Sequence, residues 1–371
     1  MMKHASILAL IALLAVAACS HGTVVPAGPS QPDMTAGGQP INAQSLVTHG
    51  AFTEYSIPAG VHPSDLARGP YDTLWFTNAG AAGASPNIYE MVASTGNVHT
   101  FTAPSFGGNP TQSAGFDAVI SLNRSVYYVV KQPENEDTFF MARITPEGVF
   151  SFTPTDYLEF GVLTNFAQIP GTSNFTFGWC VDPCQGPNNG QAAGASLENY
   201  DIPTAITGGP NGNLYVTAHC GGPCADPNAA SVYVISASGS VLHRYSLASG
   251  SFPMGIVTGS DHNLWITENG TNKIARMTPA GAITEYKIPT ANSGADRITY
   301  GYDLAQWFTE SNANKIGRIT TAGAITEYAI PTANSKPTGI TPCEDSFCGT
   351  HGGLWFTETT ANKIGRLNAP I

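Results

Sequence analysis

The sequence predicts an all-β fold: a seven-bladed β-propeller whose N-terminal strand completes the C-terminal blade. Two observations carry this. One phrase occurs three times, as Leu264-Trp265-Ile266-Thr267-Glu268, Trp307-Phe308-Thr309-Glu310 and Leu354-Trp355-Phe356-Thr357-Glu358, each running on to Asn-Lys-Ile at Asn272, Asn314 and Asn362. A second phrase follows the first two copies, Ala282-Ile283-Thr284-Glu285-Tyr286-Lys287-Ile288-Pro289 and Ala324-Ile325-Thr326-Glu327-Tyr328-Ala329-Ile330-Pro331, but is absent after the third. It stands instead near the other end, as Ala51-Phe52-Thr53-Glu54-Tyr55-Ser56-Ile57-Pro58. A closed ring needs this permutation when its first strand belongs to its last unit; a linear solenoid does not.

Trp, Phe, Ile, Thr and Tyr dominate the repeated phrases and Gly, Pro, Asn and Asp punctuate them, which favours pleated strands over helix. Trp75, Tyr127, Phe177, Tyr215, Trp265, Trp307 and Trp355 serve as equivalent aromatic positions at intervals of 52, 50, 38, 50, 42 and 48 residues, within the range of a propeller blade. Each unit runs from an inner strand, such as Pro253-Met254-Gly255-Ile256-Val257, through the Trp strand and a third strand such as Asn272 to Met277, to an outer Thr-Glu-Tyr strand. Units two (Ser125 to Val130, then Thr138 to Ile144) and three (Asn174 to Trp179) are recognised by spacing alone.

The ends of the chain set its destination. Residues 1–18 have a basic start at Lys3 and an apolar run from Ile7 to Ala18, too short to span a bilayer, and read as a signal peptide. Val16-Ala17-Ala18-Cys19 resembles a bacterial lipobox, in which Cys19 takes the lipid; an ordinary signal with an adjacent cysteine is the alternative. Residues 19–50, rich in Pro, Gly, Ser, Gln and Thr, read as a flexible lipid-anchored tether, and 51–371 as one propeller. The expected location is the cell envelope, on the outer membrane if the host is Gram-negative, and the expected state is a monomer attached to the membrane through its N-terminus.

Lys and Arg number 15 against 26 Asp and Glu, so no basic stripe is available to neutralise phosphates and a nucleic-acid partner is excluded. Beyond Cys19, six cysteines form three local pairs, Cys180 with Cys184, Cys220 with Cys224 and Cys343 with Cys348. An exported chain makes these disulfide candidates. A bridge from Cys180 or Cys184 to Cys220 or Cys224, and a zinc site of those thiolates, are the alternatives.

In this strand order the loop after the Trp strand and the entry to each inner strand share one rim. Placed there are Glu268, Glu310, Glu358, Asp296, Arg297, Lys336, Thr338, His219 and the acidic stretch Glu134-Asn135-Glu136-Asp137. Three rim glutamates can offer oxygen ligands to a divalent cation; equally, a Glu that recurs in successive units is a repeat-consensus residue that caps amides or meets the neighbouring Lys. The acidic stretch lacks the glycine and spacing of an EF-hand loop. His262 and His351 fall on the opposite rim, and His62, His99 and His243 have no partner visible in the sequence. No nucleophile elbow, phosphate-binding glycine loop or His-Glu-x-x-His motif is present.

The phrases Leu-Trp-Phe-Thr-Glu, Ala-Asn-Lys-Ile-Gly-Arg, Ile-Thr-Glu-Tyr-x-Ile-Pro and Pro-Thr-Gly-Ile-Thr resemble the blades of the virginiamycin B lyases, closely from Phe252 to Ile371, fairly over Phe52 to Phe76 and Asp201 to Val216, and poorly between. The resemblance implies a seven-bladed, magnesium-dependent propeller that linearises streptogramin B antibiotics by elimination. It also implies a Pro-His step entering unit six, where this chain has Ala295-Asp296, and Glu-Pro-His-Gly-Ile entering unit seven, where it has Lys336-Pro337-Thr338-Gly339-Ile340. The general base and one magnesium ligand are thereby replaced, and the remaining metal glutamate falls on Glu358 or Thr359. Threonine is no base near neutral pH, and a lysine repels the cation. The reading is therefore a rim-binding module for a small molecule, glycan or protein, with a metal-dependent lyase of altered substrate as the alternative.

Overall fold

The computed structural model describes residues 44–49, 51–69, 72–78, 87–102, strand segments between 119 and 197, and 201–368 apart from 222–225, 227 and 344–352. The signal peptide, Cys19, the acidic stretch 134–137, Phe177, Cys184, Cys224, Cys348 and His351 lie outside these residues.

The described strands form seven antiparallel sheets of four or five strands and one two-stranded ladder. The sheets of units five and six follow the expected order: Pro253–Thr258, Leu264–Glu268, Lys273–Met277 and Ile283–Lys287, then Ala295–Tyr300, Gln306–Glu310, Lys315–Ile319 and Ile325–Ala329. In the closing sheet Phe52–Ser56 pairs antiparallel with Lys363–Asn368, Glu54 opposite Gly365, so the strand from the N-terminal side completes the C-terminal unit. Inner strands touch in succession, Asp201–Gly208 to Pro253–Thr258 to Ala295–Tyr300 to Pro337–Cys343 to Pro63–Arg68 to Val119–Leu122, so the packing passes across the junction of the chain's two ends.

The Trp strands show no inside–outside alternation, because both faces are buried between sheets. Leu264 and Ile266 pack with Ala205, Tyr215 and Val232 of the preceding sheet, whereas Trp265 packs with Ile298 and Phe308 of the following one. Trp307 likewise meets Ile340 and Phe356, and Trp355 meets Leu66 and Phe76. The threonine after each Trp explains the Trp-x-Thr phrase: Thr309 Oγ1 donates to Thr338 O at 2.9 Å and Thr357 Oγ1 to Ser64 O at 3.0 Å, stitching each sheet to the next inner strand. Thr267 does the same to Asp296 O. Inner strands approach so closely that a Cβ on Gly255 would stand 2.8 Å from Asp296 O, and one on Gly339 2.6 Å from Ser64 O.

The asparagine of Asn-Lys-Ile takes the left-handed turn that ends each hairpin, with φ of 58° at Asn272, 57° at Asn314 and 53° at Asn362. Its side chain then organises the link to the next unit. Asn314 Nδ2 donates to Ile330 O and Thr332 O, and its Oδ1 accepts from Ser335 N at 2.7 Å. Asn272 repeats these bonds with Ile288, Thr290 and Ser293.

One expectation changes. Residues Gln44–His49, read as part of the 19–50 tether, form a fifth strand on the closing sheet, Gln44 opposite Ser56 and His49 opposite Phe52. The β-prone Leu46-Val47-Thr48 finds an open edge there, which composition alone does not reveal. In unit three the strand Gly178–Cys180 pairs with Val162–Leu163 and Gly190–Ala192.

Candidate functional site

Every inner strand in the well-described units begins with a break in register: between Pro63 and Leu66, Pro203 and Ala205, Pro253 and Gly255, Ala295 and Ile298, and Pro337 and Ile340. Such bulges re-aim side chains at the rim of a sheet. Ser64, Asp65, Thr204, Met254, Asp296, Arg297 and Thr338 sit at these breaks, all partly exposed. They define the mouth rim, as expected for Asp296, Arg297 and Thr338.

At the junction of the closing sheet with the first, Thr338 is held by hydroxyls and carbonyls. Its Oγ1 lies 2.9 Å from Ser64 O, 3.0 Å from Thr357 Oγ1 and 2.7 Å from Thr359 Oγ1. Thr359 Oγ1 donates to Pro63 O at 2.7 Å, and Thr357 Oγ1 accepts from Gly339 N at 2.7 Å. His62 stands beside this cluster, its Nδ1 3.1 Å from Thr359 O and its backbone N–H donating to Asn78 Oδ1 at 2.8 Å. This is a clasp between the first and last units. Sequence reasoning singled out Thr338, and Thr359 as an alternative metal position, but did not join them to Ser64, Thr357 or His62, which come from both ends of the chain and meet only when it closes.

Asp296 offers its backbone carbonyl to Thr267, while Arg297 Nη1 donates to Met254 O at 3.0 Å across the unit boundary. Lys336 is exposed in a left-handed conformation, φ 51°. Lys336 carries a cation that cannot ligate a metal, and Thr338 offers a hydroxyl in place of a carboxylate.

The three repeat glutamates do not line the open rim. Glu268, Glu310 and Glu358 are each 0% exposed, inserted between their own sheet and the preceding connection. Glu268 Oε2 accepts from Thr271 Oγ1 at 2.9 Å, whereas both carboxyl oxygens of Glu310 and Glu358 are buried with no hydrogen-bond partner among the described residues. Burial raises Glu268 to about 7 and Glu310 and Glu358 to about 8, and a neighbouring carboxylate adds to the rise: Glu285, Glu327 and Glu54 respectively. Those neighbours include ionised partners. Glu327 accepts from Lys315 Nζ at 2.8 Å and Thr290 Oγ1 at 2.7 Å; Glu54 accepts from Lys363 Nζ at 2.7 Å and Thr332 Oγ1 at 2.8 Å. These bonds hold Glu327 and Glu54 below the usual carboxylate range against the burial that opposes them. The described residues contain no grouping of three His, Cys, Asp or Glu that could hold a metal. The residues present therefore do not fit a magnesium ion held by these glutamates.

His219 ends the strand Leu214–Cys220 on the same rim, 4.3 Å between ring centroids from Phe252, and burial lowers its pKa. Of the other histidines, His99 Nδ1 meets Glu90 Oε2 at 3.0 Å, His243 stacks near Tyr245 on an outer strand, and His262 takes a left-handed turn on the opposite rim. Cys220 and Cys343 are buried at the ends of their strands, and with Cys184, Cys224 and Cys348 outside the described residues the connectivity stays an expectation.

Comparison with known proteins agrees with this architecture. Residues 188–370 match the model of the virginiamycin B lyase family. A streptogramin B lyase structure superposes with a TM-score of 0.62 at 26% identity, covering 85% of this chain and 97% of that chain. Virginiamycin B lyase from Staphylococcus aureus superposes with a TM-score of 0.61 at 25% identity, covering 86% and 99%. The WD40 β-propeller domain of Doa1, at 8% identity and a TM-score of 0.56 over 90% of this chain and 97% of that one, shares the fold alone. No curated protein matches the chain. The family match, the two lyase structures and the sheet order together make this chain a virginiamycin B lyase-like β-propeller protein.

Proposed function

We propose that this protein is an exported, lipid-anchored propeller that binds a ligand on its mouth rim and does not carry out streptogramin elimination. One observation carries the reading: Thr338, at the position the resemblance assigns to the general base, has its hydroxyl within hydrogen-bond distance of Ser64 O, Thr357 and Thr359. A hydroxyl used in a clasp, with a pKa far above neutrality, takes no proton from a substrate, and a missing general base costs about 10²- to 10⁴-fold in rate. Lys336 supports the same conclusion, because a cation stands where an acidic metal ligand is implied. The proposed ligand is a small molecule, a glycan or a protein segment. Cys19 is the proposed lipid attachment, and local disulfides are proposed to staple the insertions that carry the cysteine pairs.

The second reading, a metal-dependent lyase with another substrate, is favoured by the 26% identity to a streptogramin B lyase. Mass spectrometry of a streptogramin B antibiotic incubated with the full chain, with and without magnesium, separates the two. Intact antibiotic in both reactions is expected; a linearised, unhydrated product formed only with magnesium overturns the binding reading.

A further inference from the structure

Phe252 is the most anomalous residue on the mouth rim. It is a bulky aromatic at φ 43°, a left-handed conformation that ordinarily falls to glycine or asparagine. In the equivalent connections the position holds Gly294 at φ 69° and Lys336 at φ 51°. Phe252 is also 45% exposed, so backbone strain is not repaid by burial of its ring. The conformation is nonetheless held firmly. Asn269 N donates to Phe252 O at 3.2 Å and Gly270 N to Ser251 O at 2.9 Å, while Gly270 leaves the space in which a Cβ would lie 2.1 Å from Gly250 O.

The ring leans on its neighbour across the unit boundary. Its centroid is 4.3 Å from the His219 imidazole, with the planes 41° apart. Burial drives His219 toward its neutral form, and its Nδ1 is buried without a hydrogen-bond partner. Asn269, in the supporting hairpin, is uncharged and its amide donates to Ala295 O at 3.0 Å. Burial outweighs the opposing pull of the Asp201 carboxylate on His219, and an exposed aromatic face backed by such an imidazole suits the apolar face of an uncharged ring.

We infer that Phe252 and His219 form a stacking platform on the mouth rim that receives the face of an uncharged ring, supplied by a pyranose or by an aromatic group. This deepens the rim-binding reading and rests on it. The strain at Phe252 is then a cost carried in the free protein and offset when a ring covers the exposed face.

p-Nitrophenyl β-glucoside, which carries both ring types, tests the platform by saturation-transfer NMR against the full chain. Wild type is expected to saturate the aryl or the sugar protons, the set that responds identifying the ring source. Phe252→Trp should keep the transfer, and Phe252→Gly should lose it at least 10-fold. Phe252→Gly should also melt higher, by roughly 2 °C, because glycine takes the left-handed conformation freely. Transfer unchanged in Phe252→Gly overturns the platform while leaving rim binding intact. No transfer to wild type, or a lower melting temperature for Phe252→Gly, overturns the platform as well; antibiotic elimination, read separately by mass spectrometry, decides the broader reading.

Discussion

The closing sheet and its two predecessors are written in nearly the same words yet held together differently. In units five and six each Trp is capped within its own unit: Trp265 Nε1 donates to Asp261 Oδ1 and Trp307 Nε1 to Asp303 Oδ1, both at 3.0 Å. Arg276 and Arg318 lie over the indoles and pair with the same aspartates. In the closing sheet Arg366 still lies over Trp355, but Trp355 Nε1, Arg366 Nε and Asn362 Oδ1 are buried without a hydrogen-bond partner among the described residues, which leave out 344–352. The Asn362 counterparts in the sister units bond to the connection that follows their own outer strand. Here the outer strand comes from the other end of the chain and leads into His62, whose N–H goes to Asn78 instead. Splitting a repeat between the two ends preserves its ladder and leaves Asn362 Oδ1 without the bond its counterparts make to the following connection.

The closing sheet adds the Thr338–Thr357–Thr359–Ser64 clasp, and its Glu54–Lys363–Thr332 cluster, which repeats the Glu327–Lys315–Thr290 cluster of unit six, joins residues from opposite ends of the chain. The comparison predicts a concentration of stability at the junction. The largest effect is expected from Phe52→Glu combined with Tyr55→Glu. Phe52 packs edge-on to Phe356 at 6.0 Å and Tyr55 lies 5.4 Å from Trp355, so two charges would be buried in the joint and the chain should fail to melt cooperatively. An unchanged melting curve would show that the N-terminal strand is dispensable.

Next in size is a paired test of equivalent carboxylates. Glu54→Ala removes a buried partner from Lys363 and should cost about 3–5 kcal/mol. Glu285→Ala, at the same position of unit five, breaks a part-exposed pair with Lys273 and should cost about 0.2–1 kcal/mol. Equal losses in denaturant titrations would erase the distinction between the sheets.

The last test should show the smallest difference between the sheets. Glu310 and Glu358 are held to about 8, well above the ordinary carboxylate value of 4.5. A raised folded-state pKa gives stability that is full below the unfolded value and lost as pH climbs through about 8, with a slope near 1.4 kcal/mol per pH unit for each proton. The melting temperature should therefore fall between pH 5 and pH 8, and Glu310→Gln and Glu358→Gln should each flatten the profile alike. A profile unaffected by both changes would mean that the buried acids are already ionised.

Much of the fold was legible because a repeated phrase displays its own constraints. Trp and Thr at alternate positions must face one neighbouring sheet and Leu, Phe and Glu the other, and Asn before Lys-Ile marks the hairpin turn. Unit three was poorly legible because Trp179 lies on a three-residue strand with no repeated phrase around it. Of the site, counting from the repeat leads to Asp296, Arg297 and Thr338, which fall at the register breaks that open the inner strands. It does not reveal that the glutamates are buried, because a residue at the end of a strand is exposed or buried according to the connection lying over it. Phe252 was readable in principle: aligning the three entries sets an aromatic beside Gly294 and Lys336.

By itself, then, the sequence determined the all-β repeat and the N-terminal strand that completes the last sheet. Those are local facts of residue type and spacing. Tertiary structure alone decided that Glu268, Glu310 and Glu358 are buried acids, that Gln44–His49 extends the closing sheet, that the Thr338 hydroxyl belongs to a clasp with Ser64, and that Phe252 keeps an exposed ring in a strained turn. Each depends on which surface arrives from a distant part of the chain. Burial, hydrogen-bond satisfaction and ionisation are set by those neighbours rather than by the residue's own place in the repeat.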